Sequence, residues 1–520
     1  MEKKENAASP SPNKFLSGPR LGLLLLLVWS AALAIWGFDP KVDLNGDNVA
    51  YLSLSRGILS GEGFCQTSDP ACPPEKHFPP GYPLLLAAAS LVSGDLLFLK
   101  ALNGALLVAC AFLLRALCLR LGLPPLLSLA AAFAVPANAH LLRSSTILMS
   151  EIPFLFWSLL LLWLAAAPAS GRPFWKTPRF WGAAVVSAAA VYTRTAGVAL
   201  PFGVVLALLA AKRRKEAAAF ALANAALLLP WQIRNAGLAG ESYASQLLAV
   251  NPYRPELGQA GAAELAARFG RNVARYLGEE IPSALAPAFH PDGPGAGGWI
   301  LGILLVALAG RGLWKLPKGR ALLGGVLLGS FGVMFLWPEV WGGVRFMLGT
   351  VPLLTVLALW GAQDLVSKKA KLPPAWAFAV PVLLLFGLGG VRTMARADYP
   401  APWQRYKALA EWCSRNTPDT ALVVARKPTL FWLWSSRRSV NYKLTTDADA
   451  LIADLDSVGA DYVVVEQLGY ASTARNLVPA MQANPGRFAP VVAAQNPFTA
   501  LYRFLPEPPP ARSPESPSAE

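Results

Sequence analysis

Charge is the first scarcity in this chain. Asp, Glu, Lys and Arg make up 15% of its 520 residues, while 54% of the side chains are hydrophobic; an average soluble domain is about 25% charged. Disorder is excluded, because it requires low hydrophobicity. Glycine and proline, 43 and 45 residues, are too few and too aperiodic for a collagen-like or linker-like chain. Histidine is reduced to three residues and cysteine to five. No CxxC, HExxH or Walker-type glycine loop occurs, so a standard zinc or nucleotide-hydrolysis site has no ligands to build it. The missing P-loop also argues against a self-contained ATP-driven pump. A net charge of +15 can signal nucleic-acid binding, but no basic domain with interleaved aromatics is present.

What is there is apolar sequence in blocks. The first block, 21–38, follows Lys3, Lys4, Lys14 and Arg20. It lacks a small-x-small cleavage site and reads as a retained helix rather than a signal peptide. Further blocks lie at 96–118, 124–141, 150–168, 181–195, 197–211, 216–232, 297–311, 321–337, 346–364 and 375–391. A spanning helix takes about 20 residues, and the expected fold class is a polytopic α-helical membrane protein of about eleven spans. With the N-terminus inside, every inner loop is basic: Arg115 and Arg120; Arg172, Lys176 and Arg179; Lys212, Arg213, Arg214 and Lys215; Arg311, Lys315, Lys318 and Arg320; Lys368, Lys369 and Lys371. That asymmetry is the positive-inside rule. It places the C-terminus outside and predicts a multi-pass membrane protein; the Ala/Leu/Pro-rich composition fits a GC-rich bacterium, and so its cytoplasmic membrane.

The domain plan follows. Residues 1–20 form a cytoplasmic N-terminus, and 21–391 a transmembrane domain with outer loops at 39–95 and 233–296. Residues 392–505 read as a small outer α/β domain, and 506–520, rich in Pro, Ser and Glu, as a disordered tail. Within the α/β region, 403–416 and 448–457 have helical signals, and 421–426, 461–466 and 489–494 read as strands. Cys65 and Cys72 stand seven apart in the first outer loop. On an oxidising outer face they form either a disulfide or two free thiols. Cys110 and Cys118 fall within a span as packing residues.

The first outer loop carries the strongest chemistry. Asp47 follows Gly46 at the start of an expected helix over 48–59. A carboxylate there serves either as a general base toward a hydroxyl or simply as an N-cap. Lys76 and His77 precede a proline-stiffened FPPGYP turn. Lys76 either meets a lipid phosphate or snorkels to the headgroups. Arg143, Glu151, Arg194, Arg234 and Arg345 lie at the outer ends of spans, where charge is costly and functional roles are the default reading. Each arginine alone also suits a structural salt bridge. As a set of cations on one surface, they suit an anionic lipid substrate.

These segments, GDNVAYLSLSRGILSGEGF, HFPPGYPLLLAA, RSSTILMSEIPFLF, YTRTAGVALP, PWQIRN and RFMLGTVPLL, together resemble the GT-C membrane glycosyltransferases over about 46–360. The chain looks like the bacterial branch that includes protein O-mannosyltransferases, lipid A aminoarabinose transferases and lipopolysaccharide core sugar transferases. The resemblance implies Asp47 as the catalytic carboxylate and Glu151 as a second acidic residue. It also implies a donor phosphate near Lys76 and His77; the charge growing on the leaving phosphate is compensated by Lys76, Arg194 or Arg345. Two departures stand out: His77 and Phe78 separate Lys76 from the paired prolines, and Gly349 stands where relatives often have proline. The expected reaction is inverting transfer of a sugar from a polyprenyl-phosphate donor to a hydroxyl of a lipid, glycan or protein acceptor. A divalent metal is left open, and no nucleic acid is expected. The competing readings are a flippase for a lipid-linked sugar and a polymerase or ligase of lipid-linked glycan. Against the flippase stand the missing internal repeat and the few mid-span charges.

Overall fold

The structure, a computed structural model, describes residues 18–44, 46–166, 173–238, 243–252, 257–289, 295–369 and 372–506. Lys3, Lys4, Lys14, Arg172, Lys371 and the expected tail from 507 onward lie outside these residues. The chain divides into two compact units, Met1–Val42 with Lys76–Arg396, and Asp43–Glu75 with Ala397–Glu520. Residues 43–75 thus belong with the C-terminal unit, whereas the sequence grouped the whole of 39–95 with the membrane domain.

The first unit is helical. Among the described residues, four helical runs are long and apolar enough to cross a membrane: Leu96–Arg120, Arg214–Ala236, Ala296–Lys315 and the interrupted Pro374–Asn416, whose last helix, Ala401–Asn416, belongs to the second unit. The bent pair Pro125–Ala137 and Ala139–Ser145 makes a fifth if it counts as one span. Several of the eleven expected spans are shorter helices, among them Glu151–Ala165 and Arg320–Leu336. Large apolar side chains point outward: Leu25 is 51% exposed, Ile300 70% and Leu328 65%. Helices that close every backbone hydrogen bond internally while presenting such faces are built for hydrocarbon.

Two expected spans are broken for visible reasons. In the 124–141 block, the helix bends by 58° between Ala137 and Ala139. Pro136 lies just before the break, and the Asn138 side chain caps the next helix by accepting from the His140 and Leu141 amides. The Asn138 amide nitrogen also donates to Ala284 O at 2.7 Å. The 375–391 block, with prolines at 374 and 381, is a chain of short pieces: Pro374–Phe378, Ala379–Leu384, Leu385–Gly387 and Gly389–Arg396.

Elsewhere the helices meet backbone to backbone. A Cβ on Gly312 would stand 1.9 Å from Leu357 O, and one on Gly361 would stand 2.0 Å from Leu308 O. These glycines let the Ala296–Lys315 and Val351–Lys369 helices touch, the small-residue packing that replaces hydrophobic drive inside a membrane.

The segment expected as the middle outer loop is not a plain loop. Its helix Ala262–Arg275 turns polar groups onto the end of the Arg320–Leu336 helix. Arg268, 1% exposed, donates to Leu247 O and Ala249 O at 2.7 Å and to Leu336 O at 3.3 Å. Asn272 donates to Phe335 O and Trp337 O. Those bonds satisfy carbonyls that a helix end leaves without partners.

The second unit holds a five-stranded sheet: β1 Leu422–Val424, β2 Arg438–Val440, β3 Tyr462–Val465, β4 Phe488–Ala494 and β5 Thr499–Phe504, in spatial order β2-β1-β3-β5-β4. β1 pairs in parallel with β2 and β3, and the helices Pro428–Ser435 and Ala448–Ser457 supply the crossovers that parallel pairing requires. β5 pairs antiparallel with β3 and β4. β1, β3 and β4 fall where strands were expected; β2, Arg438–Val440, lacks the apolar run that marks β1. Val424, Leu451, Leu455 and Val463 form the core on one side of the sheet.

The disulfide-bearing loop sits on the β2 edge. Ser439 N donates to Ser68 O at 2.7 Å, Arg438 Nη1 donates to Pro70 O, and the Arg56 guanidinium lies 5.0 Å from the Trp432 ring. An open strand edge is thereby covered.

Candidate functional site

The structure brings together three of the predicted residues. Glu151 opens the Glu151–Ala165 helix and is 3% exposed. Arg194 follows the Pro178–Thr193 helix in extended backbone, at φ −147°. Arg345 lies in the short 3₁₀ turn Val344–Met347. Glu151 Oε1 accepts from Arg194 Nη1 at 2.7 Å and from Arg345 Nε at 2.9 Å. Arg194 Nη1 also reaches Ser150 Oγ at 3.1 Å. Glu151 Oε2 is buried and accepts no hydrogen bond among the described residues. One buried carboxylate here holds two guanidiniums, whose N–H groups are the donors that recognise anions. The cluster does not suit a divalent cation, because the carboxylate is already matched by two fixed cations.

The turn that aims Glu151 is held by a residue the sequence reading missed. Asn103, fully buried in the Leu96–Arg120 helix, donates to Ile147 O at 2.7 Å and Met149 O at 3.1 Å, and also to Tyr82 Oη at 3.1 Å. A lone amide inside an apolar 25-residue helix was the available signal. Buried polar groups need partners, and here those partners belong to the loop that carries the site.

Lys76 and His77 take other partners. Lys76 Nζ donates to Leu238 O at 2.9 Å, and the His77 ring meets Phe78 edge-on at 5.2 Å. Arg234 lies 4.8 Å from the Trp231 ring and bonds Asn235 Oδ1 at 2.8 Å. Arg143 is exposed. Beside the cluster, a cavity of about 460 Å³ is lined by Trp157, Tyr192, Thr193, Trp231 and Arg234 among others. Its walls are mainly apolar and aromatic, with one cation, so it can take an apolar chain with a charged end. Thr193 adjoins Arg194, and Trp157 stands on the helix that Glu151 begins.

Asp47 lies in the other unit, half-buried, as the first residue of the helix Asp47–Ser60. Gly46 occupies the N-cap with φ 97°, a backbone that favours glycine. The capping role considered for Asp47 therefore falls to Gly46. A Cβ on Gly46 would stand 3.5 Å from Lys427 Nζ, which places that lysine beside the Gly46–Asp47 turn. The sequence reading had not singled out Lys427. Its ammonium also lies 5.0 Å from the Tyr470 ring, with the Arg426 guanidinium 4.7 Å from the same ring.

Cys65 and Cys72 are joined in a disulfide with Cα atoms 5.2 Å apart. They belong to the one convergent set of metal-type ligands among the described residues, Glu62, Cys65 and Cys72, and the disulfide uses both thiols. Cys110, Cys118 and Cys413 are free and buried. Of the remaining histidines, His140 Nε2 contacts Ser283 O at 3.1 Å, and His290 lies outside the described residues.

No family model and no curated protein matches the chain. Its architecture does match solved structures. ArnT from Cupriavidus metallidurans bound to undecaprenyl phosphate is 12% identical, with a TM-score of 0.58, covering 92% of this chain and 97% of that one. The oligosaccharyltransferase AglB from Archaeoglobus fulgidus, in complex with an inhibitory peptide and a dolichol-phosphate, is 14% identical, with a TM-score of 0.57, covering 94% of this chain and 74% of that one. At such identities the likeness is one of fold: the chain shares the polytopic helical architecture of these two solved membrane proteins.

Proposed function

We propose that the protein is an inverting glycosyltransferase, moving a sugar from a polyprenyl-phosphate donor to an acceptor hydroxyl at the outer face of the cytoplasmic membrane. The observation that carries this reading is the Arg194–Glu151–Arg345 cluster beside an aromatic-walled cavity. Two guanidiniums held by one buried carboxylate offer N–H donors to a phosphate, and the cavity offers apolar walls to an isoprenoid. The ligands of the similar solved structures, undecaprenyl phosphate and dolichol-phosphate, support that donor class.

In this mechanism the acceptor oxygen attacks the anomeric carbon, and its proton passes to Asp47. The bond from the anomeric carbon to the phosphate oxygen breaks, and polyprenyl phosphate leaves with its growing charge facing Arg194 and Arg345. Glu151 then acts through the two arginines, holding them in place. The sugar is already activated, so no nucleotide is consumed. The N-terminus-inside orientation, the outer position of the α/β unit and the eleven-span count belong to the same proposal, and the basic inner loops support them.

The test is mass spectrometry of envelope lipids, glycans and glycoproteins from a deletion strain complemented with wild type or Asp47→Asn. The expected result is one species that loses a single sugar mass and regains it only with wild type. General-base removal should cost at least 10²-fold in rate. Full restoration by Asp47→Asn at matched expression sinks the base assignment and favours the flippase reading.

A further inference from the structure

A second cavity, of about 690 Å³, lies at the other end of the same helices. The Glu151–Ala165 helix begins at the anion cluster, and its last residue lines this cavity; Arg194 follows the Pro178–Thr193 helix, and Arg179 near its start lines the cavity. Fifteen residues of helix separate the two places by about 22 Å. The cavity is therefore distinct from the proposed donor site.

Its lining is unbalanced in charge. Arg120, Arg179, Arg213, Lys318 and Arg320 contribute five cations, and no carboxylate lines it among the described residues. Arg213 is ion-paired with Glu216, and the Arg120 guanidinium stacks 3.9 Å from the Trp163 ring centre. Arg179, Lys318 and Arg320 are exposed. The opposite wall is apolar, with Val204, Leu208 and Leu322 buried along it. Scattered surface lysines and arginines would satisfy the positive-inside rule by themselves. Here the cations converge from four chain segments around one cavity that also has a hydrocarbon-like wall.

We propose that this cavity is a regulatory or structural site for the phosphate headgroup of an anionic phospholipid, with the start of an acyl chain along Val204, Leu208 and Leu322. Basic pockets between membrane helices recognise such headgroups by charge and hydrogen bonding. A soluble phosphate shares the headgroup chemistry but gains nothing from the apolar wall.

The test uses the purified full chain in detergent, titrated with phosphatidylglycerol or phosphatidylcholine of equal chain length and read by native mass spectrometry. Phosphatidylglycerol should be retained at least tenfold better than phosphatidylcholine. The triple substitution Arg179→Gln, Lys318→Gln, Arg320→Gln changes only exposed side chains and should remove that preference. Ala207→Trp fills the cavity without altering charge and should also expel the lipid. Excess glycerol phosphate should fail to displace it; displacement at equal concentration would reassign the site to a soluble phosphate. Equal retention of both lipids, or a triple or Ala207→Trp variant that binds as well as wild type, overturns the proposal. So does loss of binding in Arg345→Gln, which would place the lipid at the opposite end of the helices.

Discussion

The two units handle polar groups differently. In the helical unit, a buried charge such as Glu151 is matched within hydrogen-bond distance by fixed cations. The helices themselves join through bare backbone at Gly312 and Gly361. In the α/β unit, buried charges such as Arg437 and Arg487 stand beside exposed pairs: Lys407 and Glu411 pair across one exposed helical turn at 3.5 Å, and apolar packing around the sheet carries the fold. The difference follows from the solvent. Water competes for exposed charges and weakens their pairing, whereas a buried charge has only the partners the fold gives it. A buried charge held by fixed partners, such as Glu151, therefore marks function more sharply than an exposed pair does.

Substitutions should perturb the two units to graded extents. The largest effect is expected from Gly312→Leu, because the new side chain would start within 2 Å of Leu357 O. Neither backbone can yield without separating two helices, so no monodisperse protein should elute on size-exclusion chromatography in detergent. Survival of a folded peak would mean that the glycine contact is dispensable. Next comes Glu151→Gln, which removes the buried charge that Arg194 and Arg345 share. Removing one partner of a buried pair costs about 3–5 kcal/mol, visible as a lower melting temperature and a raised KM for the donor proposed above. A melting temperature unchanged from wild type would show the cluster to be solvated and loosely held.

A smaller, pH-dependent effect belongs to the α/β unit. Burial pushes the Cys413 thiol up to about 12 from its ordinary value near 9. The unfolded thiol ionises first as pH rises, so the stabilisation is complete below about pH 9 and is lost progressively toward pH 12. Thiol labelling of Cys413 should stay blocked until the unit unfolds, and Cys413→Ala should flatten the alkaline loss of stability; labelling in the native state at pH 8 would contradict the burial. The smallest effect is expected at the exposed Lys407–Glu411 pair. Glu411→Gln should change stability by no more than about 0.5 kcal/mol, measured by the melting temperature, and a larger change would erase the contrast drawn between the units.

Much of the fold was legible because each signal is local. Apolar blocks marked the helices, and alternation with β-branched residues marked β1, β3 and β4. Asp47, Glu151, Arg194 and Arg345 drew attention as rare charges next to apolar runs. Lys427 and Asn103 did not. Lys427 lies 381 positions from Gly46 in the chain, so only folding brings its ammonium beside the Gly46–Asp47 turn. Asn103 looked like one tolerated amide within a long helix, since its three bonds reach segments 21 to 46 residues away. The break at Asn138 was likewise hidden. Pro136 was visible, but proline inside a membrane helix is often tolerated, and the bond to Ala284 O that fixes the bend spans 146 residues.

The sequence by itself determined the solvent of each region, since hydropathy and the placement of Lys and Arg depend on composition along the chain and on nothing more distant. It determined the secondary structure of the longer elements for the same reason. Tertiary structure alone decided which charges act together. An ion pair needs two side chains within about 3 Å, and Glu151, Arg194 and Arg345 come from three segments spread over 194 residues. Tertiary structure also decided that residues 43–75 belong with the C-terminal sheet, because the edge of β2 offers backbone groups to the disulfide loop that no local pattern in either segment announces.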